Sequence, residues 1–382
     1  METAGTIAGD RPFGRRNLLV AVASALMVGM RDKAEADEAA ESTQAANGRK
    51  NGAAPEEKQL IKPAHLRKGD TIGIVAPSSP MDSDTEIEFT FQWLKKLGLK
   101  YKLGKHLFDS YSDFAGPDEA RLEDFHNMWA DKEVKAIMPL RGGNGAARLL
   151  PKLNFDLIAK NPKIIIGYSD ATGLLIPIHQ KTGLVTFHGP MMGSFFEGPY
   201  TYHNYIKALM SPRPLGLIAD NNPKEPWSPE GPPTRFIIRE GKAKGRLTGG
   251  CMTLIKQLMG TPYEMETAGK IVFLEDLDDE PHGIDRFLTQ LLLAGSLQKA
   301  AAVIIGECTN CRPGGSGRRS FPLNFNLDRV LKERLGNLGI PVVYGLRFGH
   351  SKQKFTIPLG VTASLDAGPK GVVFKIEESA TT

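Results

Sequence analysis

The sequence predicts an α/β protein in two parts, an N-terminal doubly wound parallel sheet followed by a C-terminal mixed α/β domain. Between Gly69 and Met192, short runs rich in Ile and Val alternate with segments of helical periodicity, the pattern of a parallel sheet covered on both faces. From Gly245 the texture changes to short strands, two helices and several turns. At 382 residues the chain also exceeds what one core usually supports.

The first 36 residues read as an address rather than as fold. Arg15-Arg16 stands directly before an apolar run from Leu18 to Met30, and Ala34-Glu35-Ala36 offers an A-x-A cleavage site. The run is shorter than the roughly 20 residues of a membrane span and suits the apolar region of a twin-arginine export signal. A periplasmic or otherwise exported location is therefore expected, with a cytoplasmic one as the alternative; no stable membrane insertion is expected. Residues 37–62 are Ala-, Glu-, Asn- and Gly-rich without periodicity and read as a flexible linker.

The N-terminal domain is expected over 63–195. "GDTIGIVAPSS" (Gly69–Ser79) is a strand ending in a Pro/Ser turn, and "TEIEFTFQWLKKLG" a helix stopping at Gly98. "YKLGKHL" is a short strand, and "PDEARLEDFHNMWAD" opens with Pro and acids, as helices do. "VKAIMPLRGGNGAARLLPKL" gives strand, glycine-rich turn and helix, and "GLVTFHGPMM" another strand. Between them, "KIIIGYSDATGLL" (Lys163–Leu175) runs a buried strand into Tyr-Ser-Asp and then a helix to about Gln180. Residues 196–244, rich in Pro, Asn and Gly, read as an interdomain crossing, and 245–378 as the second domain.

Composition narrows the function. With 41% hydrophobic and 24% charged residues this is a globular composition. A formal charge of +5 without basic blocks interleaved with aromatics argues against nucleic acid. Cys308 and Cys311 form a single C-x-x-C with no second pair, so a zinc site is not supported; a local disulfide and two free thiols both remain open. No histidine pair has the H-E-x-x-H spacing of a zinc peptidase.

Ser169, at the tip of the strand–turn–helix, is either a helix cap or a nucleophile beside helix N-terminal amides. As a nucleophile it needs a base. His126 and His179 fall inside helices, His188 follows a strand end, and His350 sits in a glycine-flanked turn before a strand, where a side chain can enter a cleft. A carboxylate should orient that base. In "KIVFLEDLDDEP" an apolar strand, Ile271 to Leu274, runs directly into Glu275. The acids that follow do not fit the calcium-loop spacing.

The ordered set "VAPSSP", "RGGNGAARLLP", "IIIGYSDATGLL", "LTGGCMTLIKQLMGTP", "FLEDLDDEPHGIDR" and "FGHSKQKFTIPLG" resembles the serine LD-carboxypeptidases, or muramoyltetrapeptide carboxypeptidases, from about Lys68 to Asp366. The resemblance implies an N-terminal sheet of the flavodoxin or class I glutamine amidotransferase kind. It implies Ser169 as nucleophile, Glu275 as carboxylate and His350 as base, with the oxyanion held by the backbone N–H groups of Asp170 and Gly143. It further implies a homodimer, no metal or cofactor, and release of the terminal D-alanine from a peptidoglycan tetrapeptide. Arg141, on the same rim, is the candidate partner for the substrate carboxylate. Asn144, His282-Gly283 and Ser351 depart from the family pattern and are expected to line the cleft. Two alternatives are a microcin-immunity-like peptidase acting on peptidyl- or aminoacyl-nucleotides and a non-enzymatic peptidoglycan-binding protein.

Overall fold

A computed structural model describes residues 58–81, 84–192, 198–218, 236–313 and 325–382. The expected export signal and residues 37–57 of the expected linker lie outside the described residues. In chain order the first half comprises β1 (Thr71–Val75), α1 (Asp84–Lys96), β2 (Lys100–Leu103), α2 (Asp118–Ala130), β3 (Val134–Pro139), α3 (Phe155–Lys160), β4 (Ile164–Gly167), α4 (Thr172–Thr182), β5 (Phe187–His188) and α5 (Pro199–Leu209). The second half comprises β6 (Gly216–Leu217), β7 (Phe236–Arg239), β8 (Gly241–Cys251), α6 (Met252–Leu258), β9 (Ile271–Glu275), α7 (Pro281–Leu293), β10 (Ala302–Gly306), α8 (Leu327–Leu335), β11 (Val342–Leu346), β12 (Ile357–Pro358), β13 (Thr362–Gly368) and β14 (Gly371–Ile376).

The first sheet has the order β12-β5-β4-β3-β1-β2. Its members from β2 to β5 are parallel, and β12 closes one edge antiparallel to β5. The Ile-rich sequence of β4 is buried at every position, as a strand covered on both faces must be. Phe125 and Trp129 of α2 are fully buried; burying side chains of this size stabilises the fold by roughly 1.5–3 kcal/mol each.

The second sheet has the order β6-β14-β13-β8-β9-β10-β11-β7. Its centre, β8-β9-β10-β11, is parallel, while β13, β14, β6 and β7 pair antiparallel. This is the mixed architecture expected.

Three local expectations are corrected. Residues Ala146–Lys152 form a 3-10 helix instead of an α-helix, because Pro151 removes a donor within a short segment. The stretch read as a crossing contains α5, whose Thr201, Asn204 and Tyr205 are buried; Pro199 stands at its start, where proline favours a helix. β7 and the beginning of β8 also fall before residue 245 and belong to the second sheet.

The two halves are pinned beside the rim. The Cys251 N–H donates to Thr172 Oγ1 at 3.2 Å. Gly250, at φ +150°, admits this contact, since a Cβ there would lie 2.5 Å from Thr172 Cγ2. Cys251 is in register with Glu275, so the helix that follows Ser169 is docked directly on the strand next to the Glu275 strand.

Candidate active site

Ser169 begins a 3-10 turn, Ser169–Ala171, between β4 and α4. Its φ is +58°, a left-handed conformation that costs a non-glycine residue roughly 1–3 kcal/mol. A pure helix cap has no need of that geometry; an elbow that lifts its side chain above the sheet does. The side chain is half-buried. Against it lies Gly142, where a Cβ would sit 2.9 Å from both Ser169 Cβ and Oγ and 3.5 Å from the Asp170 nitrogen. Gly143 has φ +114°, and a Cβ there would run into the Ser79 side chain. Glycine at 142 lets the backbone of the Arg141-Gly142-Gly143 turn approach the Ser169 turn, and glycine at 143 lets it approach Ser79.

The Asp170 carboxylate faces the other way. Its Oδ2 accepts the Ala146 N–H at 2.8 Å, fastening the end of the glycine-rich loop to the elbow. Burial raises its pKa, opposed by the Ser78 hydroxyl, the Ala146 N–H and the charge of Arg121. Arg121 is itself buried and donates to the Gly116, Pro77 and Gly145 carbonyls. One guanidinium thus ties together three loops of the rim. Arg141 is exposed and donates to the Pro80 carbonyl at 3.2 Å.

Glu275 ends β9 and is fully buried. Its Oε2 accepts the His350 Nδ1–H at 2.7 Å and the His350 backbone N–H at 3.2 Å. Because the carboxylate only accepts, this bond puts the proton on Nδ1 and leaves the Nε2 lone pair free to act as a base. Burial would raise the Glu275 carboxyl, but the attraction and hydrogen bond of His350 hold it below its ordinary value. Gly349, at φ +66°, makes room for it: a Cβ there would lie 2.2 Å from the Glu275 Cδ. The His350 side chain is 11% exposed, and its backbone carbonyl accepts the Thr309 hydroxyl at 3.1 Å.

Tyr168 joins the two halves of the site. Its ring meets that of His350 edge-on at 4.9 Å, immediately before Ser169 in the chain. The Lys354 ammonium lies 4.7 Å from the centre of the same ring. The Ser169 hydroxyl has no hydrogen-bond partner among the described residues, and neither does the Gly143 N–H. Asp276, next to Glu275, accepts from the Thr253 N–H and hydroxyl and from the Leu277 N–H; burial pushes its carboxyl up to about 6.

The fold therefore brings the Ser169 elbow, the glycine turn with Arg141 and Gly143, and the Glu275–His350 pair to one region. Sequence reasoning missed Tyr168, Arg121 and Lys354. An aromatic directly before the elbow serine was the one available signal for Tyr168. Ser351 does not line the cleft: it is buried and its hydroxyl donates to the Phe348 carbonyl at 2.9 Å. Asn144 is exposed at the rim. Cys308 and Cys311 are buried thiols with no disulfide between them. Among the described residues no group of three or more His, Cys, Asp or Glu side chains is arranged to hold a metal ion, and no helix is long and apolar enough to cross a membrane.

Comparison with known proteins adds to this geometry. Residues 72–189 match the LD-carboxypeptidase N-terminal domain and residues 244–365 the LD-carboxypeptidase C-terminal domain. A Bacillus subtilis protein named "Probable murein peptide carboxypeptidase" is 39% identical over 314 residues, covering 82% of this chain and 94% of the relative. The microcin C7 self-immunity protein MccF of Escherichia coli is 32% identical over 334 residues, covering 81% of this chain and 94% of that one. The crystal structure of an MccF-like protein from Bacillus anthracis superposes with a TM-score of 0.74 at 27% identity, over 84% of this chain and all of that one.

Proposed function

The chain belongs to the LD-carboxypeptidase family, and from that premise we propose that it is a serine LD-carboxypeptidase releasing the terminal D-alanine of muramoyl tetrapeptides through an acyl-enzyme. The observation that carries the reading is the fully buried Glu275 carboxylate bonded to His350 Nδ1 at 2.7 Å. A carboxylate desolvated behind an imidazole has one evident use, which is to hold the ring in one tautomer and stabilise its cation.

In the proposed reaction His350 Nε2 takes the Ser169 hydroxyl proton while Oγ attacks the carbonyl carbon of the L,D bond. The carbonyl oxygen becomes the oxyanion and receives the N–H groups of Asp170 and Gly143. Collapse breaks the C–N bond, and His350 returns its proton to the departing D-alanine amine. Water, deprotonated by His350, then attacks the acyl carbon; the ester C–O bond breaks and His350 returns the proton to Ser169 Oγ. Because the Ser169 hydroxyl is unpartnered among the described residues, its contact with His350 forms as the substrate seats. Arg141, exposed beside Gly142, is the proposed partner of the terminal carboxylate. Replacing it (Arg141→Ala) is expected to raise KM about tenfold or more with little change in kcat; an unchanged KM removes it from the site.

The decisive experiment is mass spectrometry of a disaccharide tetrapeptide after incubation with the wild type and with Ser169→Ala. Loss of one D-alanine with the wild type alone supports the reading. The 32% identity to the microcin C7 self-immunity protein favours one second reading, cleavage of a peptidyl- or aminoacyl-nucleotide. Turnover of a peptidyl-adenylate, with the tetrapeptide untouched, would select it. Export by the Arg15-Arg16 signal and a homodimeric state belong to the same proposal; they are tested by fractionation of cells and by light scattering.

A further inference from the structure

His188 is the second residue of β5 and is fully buried. Its Nε2 lies 3.7 Å from Glu275 Oε1, the carboxylate oxygen that His350 does not use. Neither His188 nitrogen nor Glu275 Oε1 has a hydrogen-bond partner among the described residues. Two unsatisfied buried polar groups facing each other are the natural partners of one another. Shortening the contact by about 0.7 Å gives an ordinary N–H···O bond.

The groups around His188 limit what it can do. Glu275 faces it from β9, His350 and Lys354 from the segment between β11 and β12, and Tyr168 from the end of β4. Phe273 and Phe348 pack edge-on at 5.4 and 6.3 Å. Burial drives its imidazole down to about 4, against the attraction of Glu275, so it is neutral near neutral pH. Packing alone would be served as well by a phenyl ring, which carries no nitrogen to desolvate.

We propose that His188 is a positioning residue for the Glu275–His350 pair: its neutral imidazole presents Nε2–H to Glu275 Oε1, so the carboxylate is held at both oxygens. A carboxylate gripped at one oxygen turns easily about its terminal torsion. Gripped at both, it keeps Oε2 in line with His350 Nδ1. A cationic donor would do the same but would withdraw the negative charge that must stabilise the His350 cation. The neutral donor gives direction while leaving that charge in place. This inference rests on the reading of Glu275 and His350 as the catalytic carboxylate and base.

Two variants of the full chain separate positioning from packing. His188→Gln places an amide N–H near the Nε2 position, whereas His188→Asn places one near Nδ1 only. Turnover of the disaccharide tetrapeptide is measured beside the low-field proton resonance of the Glu275–His350 bond, which needs no substrate. We expect His188→Asn to lower kcat about 10–100-fold with KM nearly unchanged, and to lose or shift the resonance. His188→Gln should retain the resonance and most of the turnover. Equal turnover in both variants with the wild-type resonance intact overturns the inference, as does an equal loss in both. If His188→Asn does not fold, His188→Gln decides: retained resonance and turnover support the inference, and their loss overturns it. A wild type that shows the resonance but releases no D-alanine counts against the tetrapeptide reading; the resonance in the two variants then judges His188 alone.

Discussion

At the tip of β4 the preparation for chemistry is in the backbone, while at the tip of β9 it is in the side chains. Ser169 is held at φ +58° with a hydroxyl that makes no hydrogen bond to a described residue. Glu275 has ordinary strand geometry but a carboxylate removed from water, bonded twice to His350 and facing His188. Strain at the first place is stored in torsion and is shared by any residue that carries a Cβ. Order at the second is electrostatic, so it depends on every partner. The nucleophile should therefore be separable from stability, and the carboxylate should not.

The sharpest break comes at Ser169. Ser169→Ala should lower kcat by about 10⁴-fold or more while leaving the melting temperature unchanged, because alanine inherits the same φ. Ser169→Gly should be equally inactive but more stable than the wild type by about 1 kcal/mol, since glycine accepts positive φ freely. Calorimetry of the three proteins tests this; a destabilised Ser169→Gly would remove strain from the account of the elbow.

Glu275→Gln attacks the other side. It should cost about 10³–10⁴-fold in kcat and, unlike the serine changes, on the order of 3 kcal/mol of stability. Because the folded-state pKa of Glu275 is lowered, its ionic contribution is fully present above its unfolded pKa and lost as pH falls through the folded value. Thermal melts from pH 7 downward should therefore converge for wild type and Glu275→Gln in acid.

Two glycines sharpen the contrast. In Gly142→Ala the new methyl meets Ser169 Cβ and Oγ at 2.9 Å, which should lower kcat about 10²-fold with a small loss of stability. In Gly349→Ala it meets the Glu275 carboxyl at 2.2 Å at a φ of +66°, so stability should fall as well, by about 1–3 kcal/mol. Equal melting temperatures for the pair would erase the distinction between the two regions.

The smallest effect on turnover is expected at Asp276. Its folded pKa, about 6 against an ordinary 3.8, is raised. A raised carboxyl favours the folded state while protonated and loses stability as pH climbs from about 4 to 6, by about 3 kcal/mol in all. Asp276→Asn should flatten that part of the stability profile and leave kcat within a few-fold.

The sequence exposes Ser169 and Glu275 for one physical reason. Each follows a run of buried apolar residues, Ile164–Ile166 before the Ser169 turn and Ile271–Leu274 before Glu275, so the run announces a strand and the polarity after it announces the rim. The turn around His350 was legible from its glycine. What could not be read was convergence over long separations. Phe187-His188 pairs with Ile357-Pro358, and nothing local to either segment announces that contact. His188, which the sequence shows only as following a strand end, is thereby buried against Glu275. α5 lies hidden in a stretch whose Pro, Asn and Gly content reads as loop, although Pro199 stands where a helix begins. The 3-10 helix at Ala146–Lys152 shows the reverse: helical composition cut short by Pro151.

The edge strands β6 and β12 carry a consequence for how this chain holds together. β6 precedes residues 219–235 yet pairs with β14 in the second sheet, and β12 comes from the second half yet closes the first sheet against β5. The last residue joins in, with the Thr382 N–H donating to the Pro63 carbonyl and its own carbonyl accepting from His65. The segments on either side of residues 219–235 lend each other a border, as two hands do with fingers interlaced. A chain cut between 219 and 235 would thus yield complementary pieces instead of two independent domains, and melting of either sheet would release the other.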